Sequence, residues 1–296
     1  MSALALALVA VAAVGASGSL MSALNGAIGA RLGVWRATHV FMIVGSLGAG
    51  ACVVLLERHV FDAQLLRALP PYALLPGLIN ALVVTLVIRV VRQIGTLQTT
   101  ASVFTGGVVV ALVLDHVGAF GLPTIAVGAS RAVGAAALLV AVVWLTVALR
   151  QRDRSTLPLA WPVVALALAA GALDSVAVAM NTHLAAAAGP FTATLAFLLP
   201  GALLLSVTLP RRPGTVSVRA TDAIPGLWNV AALAVALVAI PVIGLHLANA
   251  SRFAAAVAAG MAVDHAGSFG GVRIPVTWRR VSAATVLVSG VVLSAL

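Results

Sequence analysis

The sequence predicts an all-α polytopic membrane protein, with ten transmembrane helices arranged as two inverted five-helix repeats. Composition, the spacing of apolar runs and an internal repeat lead there. Of the 296 residues, 62% are apolar and only 8% are charged, and the mean hydropathy is +1.17. Soluble domains carry roughly 25% charged residues, so this inventory cannot cover a water-facing surface. Ten spans of about 20 residues each leave under ~10 residues for each loop or tail, too few for a soluble domain.

The elements follow in chain order. Apolar runs of spanning length cover about 3–30, 35–57, 72–93, 96–116, 130–149, 159–187, 190–210, 223–245, 248–265 and 280–296. None shows the in/out alternation of a β-barrel strand. Met1 to Leu24 lacks a basic leader and a cleavage site, and reads as the first span rather than a signal peptide. Punctuation falls between runs, at Glu57-Arg58-His59, Pro70-Pro71, Arg150-Gln151-Arg152-Asp153-Arg154 and Arg211-Arg212-Pro213-Gly214. The division is 1–149 for the first repeat, 150–158 for a linker and 159–296 for the second.

The repeat is explicit in the residues. Pro76-Gly77-Leu78-x-Asn80 returns as Pro225-Gly226-Leu227-x-Asn229, and Ala101-Ser102-x-Phe104 as Ala250-Ser251-x-Phe253. Asp115-His116-x-Gly118-x-Phe120-Gly121 returns as Asp264-His265-x-Gly267-x-Phe269-Gly270, and Arg131 matches Arg280, all offset by 149. Upstream the offset is 156, pairing Gly15 with Gly171, Asn25 with Asn181 and Gly33 with Gly189. Five spans per copy is an odd number, so the second copy enters the membrane upside down. By analogy of architecture, such repeats belong to secondary transporters whose substrate sites lie near the midplane.

The net charge of +10 comes from seventeen Arg with no Lys, standing in ones to threes between apolar runs. That distribution excludes a nucleic-acid patch and suits loops that set topology. Thirteen Arg fall beside the connectors after odd-numbered spans, against Arg58, Arg67, Arg131 and Arg252 on the other side. The positive-inside rule therefore places both termini outside and the 150–158 linker in the cytoplasm. The single Cys52 allows neither an internal disulfide nor a cysteine metal cluster.

The repeated Asp-His-x-Gly-x-Phe-Gly, with Asn25 followed by Ala30-Arg31-Leu32-Gly33, resembles the signature of the YdcZ-type inner-membrane exporters. These belong to the drug/metabolite transporter superfamily, alongside the EamA-type proteins. The resemblance covers nearly the whole chain as two fused copies. It implies a multi-pass bacterial inner-membrane protein that exports a small organic metabolite or drug-like solute. The family often carries Gln where Met21, Gly107 and Ala256 stand here, which argues against a strongly polar solute. Superfamily members with ten spans usually keep both termini cytoplasmic, opposite to the Arg count.

Asp174 is the one carboxylate well inside a predicted span, roughly 20 Å into a ~30 Å core. An ionised Asp there costs about 2.5–3.5 kcal/mol on insertion scales, so it must face the bundle or a watery cavity. A proton-exchange role is the functional reading, and a hydrogen-bonded structural Asp is the alternative. Its repeat mate is Gly18. Asn181 lies two turns beyond Asp174 on the same face, and with Asn25, Asn80 and Asn229 makes four amides that a central cavity would gather. Interhelical bonding that only holds the bundle is the alternative for each. Asp115-His116 and Asp264-His265 read as structural helix-end motifs, since inversion separates them across the membrane. No nucleophile–base pattern, phosphate loop or HExxH occurs, so the expectation is a transporter and not an enzyme. It has no cofactor and no metal, and as partners a small-molecule substrate, the lipid bilayer and protons, as a monomer or homodimer. A lipid-handling or non-transporting scaffold is the competing function. A transporter needs a solvent-reaching cavity lined by Asn25, Asp174 and Asn181, whereas a scaffold would satisfy those groups within a closed bundle.

Overall fold

The computed structural model describes residues 2–58, 72–152, 160–208, 217–270 and 273–295. His59, Arg67, Pro70-Pro71, most of the 150–158 linker and Arg211-Arg212-Pro213-Gly214 lie outside the described residues. The described chain is all-α, as the uninterrupted apolar runs require. Its helices are α1 (Ala3–Leu32), α2 (Val34–Cys52), α3 (Leu75–Val117), α4 (Ala129–Arg152), α5 (Ala160–Ala188), α6 (Pro190–Thr208), α7 (Ile224–Ile243), α8 (Leu245–Ala266) and α9 (Trp278–Ala295). A π-helical turn, Val53–Glu57, ends α2. Among the described residues seven helical stretches are long and apolar enough to cross a membrane, and α8 and α9 are not among them.

Helix α3 spans two of the apolar runs and is broken between them. Gly95 stands at φ 79°, ψ 174°, outside the helical region. Gly244, 149 residues on, separates α7 from α8 at φ 79°, ψ 156°. Only glycine adopts that conformation without strain, so these two residues let the chain reverse in a single step.

Packing is pairwise and reciprocal. Helix α5 lies along α3, α1 along α8, α2 along α6 and α4 along α9. Close approach is set by matched glycines. A Cβ on Gly171 would strike the Val103 carbonyl, and one on Gly15 would strike the Arg252 carbonyl. These pairs are repeat mates, 15 with 171 and 103 with 252. The matched hydroxyls bond alike across the same interfaces: Ser175 Oγ donates to the Gly107 carbonyl at 2.9 Å, and Ser19 Oγ donates to the Ala256 carbonyl at 2.8 Å. In a bilayer, where apolar burial gives helices little reason to associate, small residues and interhelical hydrogen bonds are what hold such contacts.

The two Asp-His motifs cap each other's helices. The Asp264 carboxylate, near the end of α8, accepts from the amides of Thr96 and Leu97 at 2.9 and 3.1 Å, where the second half of α3 begins. The Asp115 carboxylate, near the end of α3, accepts from the amide of His246 at 2.8 Å, where α8 begins. Each helix end meets the other's start, so the second half of α3 and α8 run antiparallel. Phe104 and Phe253, repeat mates on these helices, stack at 5.6 Å with 12° between their planes.

Candidate binding cavity

Between α1, α2, α3, α5, α7 and α8 lies a cavity of about 160 Å³. Gly18, Gly107 and Gly171, which sit at close contacts with neighbouring groups, are all in its wall. Two opposite charges also line it, Asp174 from α5 and Arg252 from α8. Their charges act on one another, yet they do not close into an ion pair. Among the described residues the pairs within 4 Å are Arg280–Asp264 at 2.6 Å and Arg31–Asp222. Arg252 rests on the face of Phe104, 5.4 Å from the ring centroid, which offsets part of the cost of desolvating a guanidinium. Its Nε is buried without a hydrogen-bond partner. The Asp174 carboxylate takes no hydrogen bond from the described residues.

One turn before Arg252, Asn249 Nδ2 donates to Ser175 Oγ at 3.0 Å. Because Ser175 Oγ in turn donates to Gly107, this chain of bonds fixes the wall beside Asp174. Also in the wall, the Trp228 ring fills the space before Gly18, 3.3 Å from where a Cβ would stand, and its Nε1 donates to Ser17 Oγ at 3.1 Å. Gly18 is the repeat mate of Asp174. The cavity wall therefore combines two opposite charges, from α5 and α8, with aromatic rings, among them Phe104 and Trp228.

Three of the four amides expected around a central cavity are there: Asn25, Asn80 and Asn229. Asn25 is half-buried. Asn229 Nδ2 is buried and unpartnered. Asn80 Nδ2 is tied to the Phe197 carbonyl at 3.2 Å. Asn181 lies apart from them. It is 0% exposed and outside the cavity wall, and neither of its amide atoms has a hydrogen-bond partner among the described residues. Two turns carry it about 10 Å along α5 from Asp174: a shared face does not mean a shared depth.

Asp115 and Asp264 sit at opposite ends of α8, about 27 Å apart along its axis, and both are buried at 1% and 4% exposure. His116 and His265 are exposed, and the His265 ring nitrogen only accepts from the Val276 amide at 3.4 Å. Sequence reasoning missed Arg252, which it had counted among the loop arginines. Its position seven residues into α8, one turn after Asn249, carried the signal of a polar face inside a span. Ser175 was also missed, although its mate Ser19 falls in the same register.

Residues 6–144 match a family model described as "Putative inner membrane exporter, YdcZ", and residues 162–293 match it again. The chain belongs to that family. It carries the family unit twice, with the break between copies at 145–161. No curated protein matches the chain. As a YdcZ-type exporter it is an inner-membrane protein with multiple membrane spans, and its family is one of transporters, which move solutes rather than transform them. The cavity is thus in a protein whose family has a use for one.

Proposed function

We propose that this YdcZ-type exporter is a secondary active transporter of a small organic solute, driven by proton exchange at Asp174 and working by alternating access. On this reading it has ten spans, in inverted repeats 1–149 and 159–296 joined by 150–158. Counting α3 as two spans follows from its break at Gly95. The antiparallel run of the second half of α3 and α8, with their exchanged carboxylate caps, supports inversion. So does the stacking of Phe104 on its own mate, since a residue meets its mate only near the symmetry axis. Such a molecule has two related conformations of similar energy, which is what alternating access needs.

The observation that carries the reading is Asp174 lining a cavity without a closed partner. A scaffold would spend its buried carboxylate on an ion pair, as Asp264 is spent on Arg280. A carboxylate left open in a cavity can hold either a proton or a donor group on the solute, but not both. That competition couples the two: a proton entering from outside displaces the solute, and loss of the proton inside re-arms the site. Asn25 and Asn229 offer adaptable amides for the rest of the solute, and Asn80 holds the wall they share.

The test is efflux and counterflow from proteoliposomes containing the full chain, with and without a pH gradient. The reading expects solute accumulation that follows the gradient. Asp174→Asn should fold, since it removes a buried charge and keeps shape and hydrogen-bonding capacity, but should lose gradient-driven accumulation.

A further inference from the structure

Resting on the transport reading above, we propose that the cavity takes a small zwitterion, its carboxylate held by Arg252 and its ammonium by Asp174. The two side chains come from different helices and line one cavity. They are near enough for their charges to interact, yet stand more than 4 Å apart. The same chain shows what a purely structural buried pair looks like, since Arg280 and Asp264 close to 2.6 Å with the remaining carboxylate capacity filled by backbone amides. The cavity pair is the opposite case. Arg252 Nε has no hydrogen-bond partner among the described residues, and its guanidinium rests on the Phe104 face. Two half-buried opposite charges in one cavity wall, not closed on each other, match a ligand carrying the complementary pair. A ligand with one charge would satisfy one side chain and leave the other's charge uncompensated.

Size narrows the class. An apolar cavity of about 150 Å³ holds a benzene, so about 160 Å³ admits a solute of roughly six to ten non-hydrogen atoms. Trp228, in the same wall, accommodates an apolar or aromatic substituent. The sequence, with Met21, Gly107 and Ala256 in place of Gln, argued against a strongly polar solute. Arg252 and Asn249 on α8 line the cavity and supply that polarity instead.

The test uses the full chain in lipid nanodiscs. The twenty common amino acids are screened by thermal shift, and the best binder is compared with its methyl ester, which keeps only the ammonium, and its des-amino acid, which keeps only the carboxylate. The expected result is that at least one amino acid binds and both analogues bind at least tenfold more weakly. Arg252→Gln should bring the amino acid's Kd to that of the ester, and Asp174→Asn should bring it to that of the des-amino acid. The comparison on the unaltered protein stands even where a variant fails to fold. Binding of no amino acid, or equal binding by either analogue, overturns the proposal. An amino acid that binds but is not moved in counterflow overturns transport and leaves the zwitterion site standing. Movement of a singly charged solute with no amino acid binding does the reverse.

Discussion

Asn80 and Asn181 are both buried amides in apolar surroundings, and they should respond differently to truncation. Asn80→Ala loses a bond to the Phe197 carbonyl and is expected to cost about 1–2 kcal/mol. Asn181→Ala removes two atoms that have no protein partner among the described residues, so its cost is confined to lost packing, under about 1 kcal/mol. Its position outside the cavity also means that solute affinity should not change. Thermal unfolding midpoints of the two variants in one detergent check the order, and a larger drop for Asn181→Ala would contradict it. At this scale the sequence could be read only in part. Asp174 stood out because a carboxylate inside an apolar run is expensive wherever it points. Arg252 did not, because an Arg near a helix start looks like a loop arginine until the length of α8 is known. Asn181 was placed by angle, and angle says nothing about how far along the axis a cavity extends.

The exchanged caps tie the ends of α8 to the break in α3, and the two caps are unequal. Asp264 takes two backbone amides and the Arg280 guanidinium at 2.6 Å. Asp115 takes the His246 amide, and Arg131, the mate of Arg280, acts on it only through space. Asp264→Ala should therefore cost about 3–5 kcal/mol, because it leaves Arg280 buried without its carboxylate. Asp115→Ala should cost less, about 1–3 kcal/mol, the loss of a capping acceptor. Adding Arg280→Met to Asp264→Ala should recover part of the loss, since it removes the orphaned charge. Denaturation of the three variants in mixed micelles measures this. Equal losses at Asp115 and Asp264 would contradict the asymmetry. The repeat in the sequence revealed that the motifs were matched, but not that each carboxylate caps a helix of the other copy. Contacts across 131 and 168 residues leave no local pattern to read. The break at Gly95 was legible as a boundary between apolar runs, because a single positive-φ glycine with polar neighbours suffices for it.

At the scale of the whole molecule, the proposed mechanism requires both a sidedness and a charge cycle. Moving Arg252 from the loops to the cavity leaves thirteen Arg beside one set of connectors and three beside the other. The Arg150–Arg154 linker is therefore expected in the cytoplasm. A cysteine placed there, with Cys52 replaced, should resist an impermeant thiol reagent in intact cells, and rapid labelling would reverse the orientation. If the solute is a zwitterion, the loaded site is neutral overall, with Asp174 ionised beside Arg252, and the proton-loaded site carries one positive charge. Each cycle then moves one charge inward, so an inside-negative potential should speed export even without a pH gradient. The all-α membrane class was legible from composition because no soluble surface can be built from 8% charged residues. A cavity with Asn25 and Asp174 in its wall was expected from polar residues inside apolar runs, but the place of Arg252 in it was not, since that depends on how α8 packs against α3 and α5. The most direct measurement is gradient-driven solute accumulation in proteoliposomes, comparing the unaltered chain with Asp174→Asn at matched incorporation. The account predicts that accumulation in the unaltered chain scales with the pH gradient and that Asp174→Asn shows none while still exchanging solute for solute. An Asp174→Asn protein that accumulates solute with an unchanged response to the gradient would contradict it.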